Sequence, residues 1–190
     1  MFKRIVKGEP HYLTKKRKKS ILFTIIYFAI SLGIILLGFI MTGTKRNYLT
    51  VIGILGCLPS CKSAVNSIML CLSKGCSENY IDRLEQIKGR LLLMYDMYFT
   101  TYKKNFSISN MVVDDGVIIA FSEDKDISAA EFSEHIKTML KSASLKVQTI
   151  TLVADFSKYE DMLIALNNKE NTEMHNNDED IRIALYEISL

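Results

Sequence analysis

Six charged side chains crowd into one short stretch of this chain: Asp114, Asp115, Glu123, Asp124, Lys125 and Asp126. Carboxylates that converge can hold a divalent ion, and a lysine beside them can position the water which that ion activates, the arrangement used in metal-assisted hydrolysis. Asp115, Glu123 and Lys125 are the candidates for that work. The other residues with chemical potential are more scattered. His11, His135 and His175 fall in a basic leader, on the polar face of an expected helix and in an acidic loop. None accompanies a serine or cysteine in a nucleophile arrangement, and each is expected at the surface. Cys57 and Cys61 share one helix face, but two thiols without a histidine do not complete a tetrahedral metal site. They read as small apolar side chains. No glycine-rich phosphate loop, nucleophile elbow or His/Cys metal set is present, so no metal and no cofactor is expected.

The acids at the two ends of an expected β-ribbon, with Lys125 two residues after Glu123, resemble the metal-binding pattern of the restriction-endonuclease-like superfamily. That resemblance implies a divalent ion held by the carboxylates and a water placed by the lysine. It covers about 20 residues. Two features depart from it: Asp114 and Asp115 fall in what should be a two-residue turn, and Glu123 to Lys125 follow the strand instead of lying within it. The simpler expectation is a hairpin turn followed by a solvated acidic loop.

The elements that must position these residues come from periodicity. Ser77 reads as an N-cap, and Tyr80, Leu84, Ile87, Leu91, Met94, Tyr98 and Tyr102 recur at steps of three or four, which predicts one amphipathic helix of about 25 residues. Ser107 to Val113 and Val117 to Phe121 are β-rich runs around Asp115-Gly116, a strong hairpin signal. Ser128 and Glu131 form a capping box opening a helix to about Ala143. Leu145 to Ala154 reads as a strand. Ser157 and Glu160 repeat the capping box before a helix to about Asn168. Residues 167–180 read as a polar loop, and 180–190 as a final helix. The expected order is α-β-β-α-β-α-α, a small α+β domain over residues 77–190.

Ahead of that domain lies a different kind of sequence. Residues 1–20 hold eight Lys and Arg against one acid, ending in Lys15-Lys16-Arg17-Lys18-Lys19. Residues 21–72 follow as two apolar segments, 21–42 and 49–72, around a short polar turn. The first is uncharged from Ile21 to Thr42, about 33 Å of helix, enough to cross a hydrocarbon core of about 30 Å. The second carries Pro59, which predicts a kink, and Lys62, which costs about 2.5–3.5 kcal/mol near mid-bilayer. At 100° per residue Gly56, Ser60 and Ala64 form a stripe of small residues, with Ala29 and Gly33 of the first segment as its expected counterpart. Lys62 and Asn66 then face away from the first segment, towards another protein or a second copy.

The expectation is therefore a transmembrane hairpin with a cytoplasmic leader and a cytoplasmic C-terminal domain, multi-pass in the cell membrane. The abundance of Lys, Ile and Asn hints at a bacterial source. In residues 73–190 thirteen Lys and Arg face twenty Asp and Glu, a net charge that disfavours nucleic acid as a partner. A cysteine-free domain beyond residue 76 fits a reducing compartment. The functional expectation is a membrane-anchored, non-enzymatic interaction or scaffold module whose partners are the lipid bilayer and a homo-oligomeric or other membrane protein. The first alternative is a membrane-tethered, metal-dependent hydrolase using the acidic cluster. The second is a small subunit of a transport assembly, with Lys62 lining a polar path.

Overall fold

The computed structural model describes residues 6–44, 47–101, 104–169 and 176–190. It divides into two compact units. One is the pair of long helices, residues 13–73, and the other joins the described residues up to Tyr12 with residues 74–190. Lys45, Arg46, His175 and the other loop residues over 170–175 lie outside the described residues, and the remainder of the expected loop from Asn176 onward belongs to the last helix.

In the helical unit, α1 (Tyr12–Thr42) and α2 (Tyr48–Leu72) are both long and apolar enough to cross a membrane. Helix α1 begins nine residues before the apolar stretch, so the run Lys15 to Lys19 occupies its opening turns. Asn47 caps α2, its side chain accepting from the Thr50 N–H at 2.7 Å while its amide donates to the Gly38 carbonyl at 2.9 Å. One side chain thus caps the first turn of α2 and ties it to the last turn of α1, where the Gly38 carbonyl also accepts the Thr42 hydroxyl at 2.7 Å.

In the second unit the elements are α3 (Glu78–Ile87), β1 (Leu93–Thr100), β2 (Asn105–Asp114), β3 (Val117–Phe121), α4 (Ala129–Ser142), β4 (Thr149–Val153), α5 (Phe156–Asn167) and α6 (Asn176–Ile188). The strands form one mixed sheet in the order β1-β2-β3-β4. The first three make an antiparallel meander, and β4 runs parallel to β3 after the α4 crossover. Phe132, Ile136 and Leu140 of α4 and Ile181 and Leu185 of α6 fill one face of the sheet. Ile81 and Leu84 of α3 and Phe156, Tyr159, Leu163 and Leu166 of α5 fill the other.

The order agrees with the expected one except at a single place. The run expected as one helix from Ser77 to Tyr102 is a short helix followed by β1. Gly89, at φ +50, turns the chain between them, and a Cβ there would lie 2.7 Å from the Asn167 side chain. The misleading helical spacing has a physical origin. Asp96 sits in the middle of β1 at φ +57, so the alternation of faces slips by one residue. Met94 and Met97, three apart, therefore enter the same core. Ile108 and Met111 on the paired stretch of β2 do the same. A sheet containing this slip imitates the i, i+3 signature of a helix. A smaller correction concerns α5, whose N-cap is Asp155 rather than Ser157, the Asp155 carboxylate accepting from the Ser157 N–H at 3.1 Å. Ser128 caps α4 as expected, accepting from the Glu131 N–H.

Candidate functional site

The acidic stretch is distributed along β3 and around its ends. At one end is the two-residue turn, with Asp115 at φ +52 and Gly116 at φ +67, the conformation a tight antiparallel hairpin favours. Asp178, in the first turn of α6, is buried and turns its carboxylate onto this turn. Its two oxygens accept the N–H groups of Asp115 and Gly116, each at 2.8 Å. Asp114 is engaged separately in a two-pronged ion pair with Arg90, at 2.8 and 2.9 Å, and Arg90 also donates to the Leu166 carbonyl.

Glu123 lies at the other end of β3. Its carboxylate accepts the Ser77 N–H at 2.8 Å and the Ser77 hydroxyl, so it caps the start of α3. Lys125 is exposed two residues further along a loop in which Asp124 accepts the Asp126 N–H at 3.3 Å. A five-residue strand spans roughly 16 Å, so Asp115 and Glu123 are held at opposite ends of it. The three side chains with hydrolytic potential are not brought together, and among the described residues no group of three or more His, Cys, Asp or Glu side chains is placed to hold a metal ion. The carboxylates serve as caps and ion-pair partners for backbone and arginine.

Around Glu123 the sheet carries a buried polar layer. Asp96 accepts the Cys76 N–H at 2.8 Å. Burial, followed by the nearby Glu123 and Asp96, pushes the Cys76 thiol up to about 12, which keeps it protonated and unreactive. The Tyr159 hydroxyl donates to Asn110 Oδ1 at 2.6 Å in full burial, and burial raises the Tyr159 pKa. His135, expected at the surface, is half-buried on α4 in a cleft of about 590 Å³ with Phe106 and Glu131. Burial lowers its pKa.

In the helical unit the inner seam is made of hydroxyls. Ser20 and Ser67 lie 2.8 Å apart, Thr24 is 2.8 Å from Ser63 and 2.9 Å from Ser67, and Ser31 is 3.5 Å from Ser60. Gly56 faces this seam, where an added Cβ would come within 2.9 Å of Ser31 Oγ, and Ser60 is buried in it. Ala64 is half-buried. The counterpart on α1 is not Ala29 and Gly33. Both are exposed, and a Cβ on Gly33 would meet nothing. Ser31 and Ile35 take that place, against Gly53 and Gly56. Because α1 is apolar on every side, its hydrophobic pattern marks no inward face. The spacing of Ser20, Thr24 and Ser31 does, and it is the signal that hydrophobicity alone missed. Helix α2 runs unbroken through Pro59. Lys62 is exposed, and Asn66, also exposed, reaches back to donate to Ser20 Oγ at 3.3 Å.

Sequence reasoning also missed the N-terminal segment. Lys7 Nζ donates to the Tyr186 and Ser189 carbonyls at 2.7 and 2.8 Å, at the C-terminal end of α6. The Gly8 carbonyl accepts the Tyr95 N–H at 3.0 Å. Gly8 has φ +84, and a Cβ there would lie 2.4 Å from the Tyr186 hydroxyl, so only glycine fits both the backbone and the space. The chain start is stitched to the chain end.

No family model matches the chain, and no curated protein or solved structure is similar to it.

Proposed function

We propose that this protein is a membrane-anchored, non-enzymatic binding and scaffold module. In this reading a transmembrane hairpin anchors a cytoplasmic α+β domain to the cell membrane of a bacterium. The observation that carries the reading is the inverted polarity of the hairpin. The hydroxyls of Ser20, Thr24, Ser31, Ser60, Ser63 and Ser67 meet between the helices, while Leu36, Ile40 and Leu58 are 59%, 69% and 67% exposed. Water rejects an apolar surface of this extent; a lipid bilayer accepts it, and there packing and interhelical hydrogen bonds hold helices together.

The stitching of Lys7 and Gly8 to Tyr95, Tyr186 and Ser189 supports an even number of crossings, because the start of the chain and the C-terminal domain must share one side. Lys15 to Lys19 then favour the cytoplasm for that side. Lys62, exposed among apolar neighbours, supports a membrane-protein partner or second copy on the outer face of α2, since an ammonium in hydrocarbon requires one or a route to water. The hydrolase reading draws no support from carboxylates held at opposite ends of β3. The transport reading draws none from an inner seam closed by hydroxyl contacts.

The test is extraction. Membranes washed with alkaline carbonate should retain the full chain, and only detergent should release it. Recovery of monomeric protein in the soluble fraction would sink the proposal.

A further inference from the structure

The two edges of the sheet are treated differently. The β1 edge is covered by both ends of the chain: Gly8 pairs with Tyr95, Ser189 with Phe99, and the Leu190 N–H donates to the Tyr98 carbonyl at 2.8 Å. Strand β4, at the other edge, pairs only with β3 among the described residues. At the far end of the strand the Val153 carbonyl accepts the Ser122 N–H at 3.2 Å. The alternation of the ladder therefore turns the backbone groups of Thr149, Thr151 and Val153 to β3 and those of Ile150 and Leu152 outward, where the Ile150 carbonyl also accepts the Ser133 hydroxyl at 3.3 Å. The sequence Thr149-Ile-Thr-Leu-Val153 contains no proline, glycine or charge, none of the devices by which proteins blunt a free edge.

We propose that the β4 edge pairs antiparallel with the β4 edge of a second copy of this chain, joining two four-stranded sheets into one. The flanking charges select this occupant. Lys146 precedes the strand and Asp155 follows it, both exposed. A two-fold axis near Thr151 sets the Lys146 of each copy beside the other copy's Asp155, whereas parallel addition of the same strand sets lysine against lysine. Asp155 spends one oxygen on the Ser157 N–H and keeps acceptor capacity for the ammonium. The interface is isologous, so both charge pairs form together. Five-residue edges bury less than a stable interface in solution requires. Confinement of copies to one membrane surface raises their effective concentration, and in this respect alone the inference rests on the anchored reading.

The test uses the full chain in native membranes, with Cys57, Cys61 and Cys71 replaced by serine and Thr151→Cys introduced. Lys137→Cys, on the exposed side of α4, serves as control. Mild oxidation should give a dimer at Thr151→Cys about tenfold faster than at Lys137→Cys. Adding Lys146→Glu, which sets like charges together, should slow it roughly fivefold, and Lys137→Glu should not. Equal rates at Thr151→Cys and Lys137→Cys overturn the pairing, and a rate indifferent to Lys146→Glu overturns the antiparallel second-copy assignment. A protein that stays in the membrane without crosslinking contradicts the pairing alone; a soluble protein that crosslinks at Thr151→Cys contradicts the anchored reading alone.

Discussion

Asp178 shows how a single carboxylate can matter more than a cluster of them. It is the buried acid that organises the β2–β3 turn, reaching from α6 across 62 residues of sequence to accept the Gly116 N–H. Removing it leaves two backbone N–H groups in a tight turn without an acceptor, and an unmet buried donor costs its full desolvation. Asp178→Ala should lower the unfolding free energy by about 2–3 kcal/mol, read as a shift of the urea midpoint of the detergent-solubilised protein. Asp178→Asn, which can satisfy only one of the two donors, should lose less. By contrast Lys125→Ala should leave stability unchanged, because that side chain is exposed. Nothing in the local sequence singles out Asp178. It sits in an acid-rich stretch where every carboxylate reads as solvated, and only the fold distinguishes it.

Among the elements, the ones written in local chemistry were legible. The Asp115-Gly116 turn, the Ser128 cap and the apolar length of both long helices were read from the sequence, since each depends on neighbours within a few residues. Strand β1 was not. The left-handed Asp96 gave it a helix-like spacing, and its partner strand compensates with a matching slip that no local window contains. The inward face of α1 was misassigned for a related reason: in a helix that is apolar all round, small residues outside the contact look the same as those within it. The corrected packing makes its own prediction. Gly53→Val would drive a side chain into Ile35, 2.4 Å from the built Cβ, and into the Ser31 carbonyl. It should cost about 2–3 kcal/mol of hairpin stability, measured by thermal unfolding in detergent micelles. Gly33→Val should fall within about 0.5 kcal/mol of the parent. The reverse ranking would restore the Ala29/Gly33 interface.

At the scale of the whole molecule, the candidate site was legible only as a set of residue types. Asp115, Glu123 and Lys125 were visible in the sequence, but their separation follows from β3 being a straight strand with one of the acids at each end. The N-terminal stitch was invisible, because Lys7 and Gly8 lie in a basic stretch whose charge already had an explanation in membrane topology. Yet Lys7 and Gly8 tie the start of the chain to β1 and to the end of α6. In the proposed reading they make the topology a consequence of contacts as well as of charge. The most direct test of the account is therefore the sidedness of three positions in the cysteine-to-serine background. Val6→Cys, Thr44→Cys and Lys158→Cys would be labelled with a membrane-impermeant maleimide in sealed right-side-out vesicles. The account predicts labelling of Thr44→Cys in intact vesicles, and of Val6→Cys and Lys158→Cys only after permeabilisation. Labelling of Lys158→Cys in intact vesicles, with Val6→Cys protected, would contradict it.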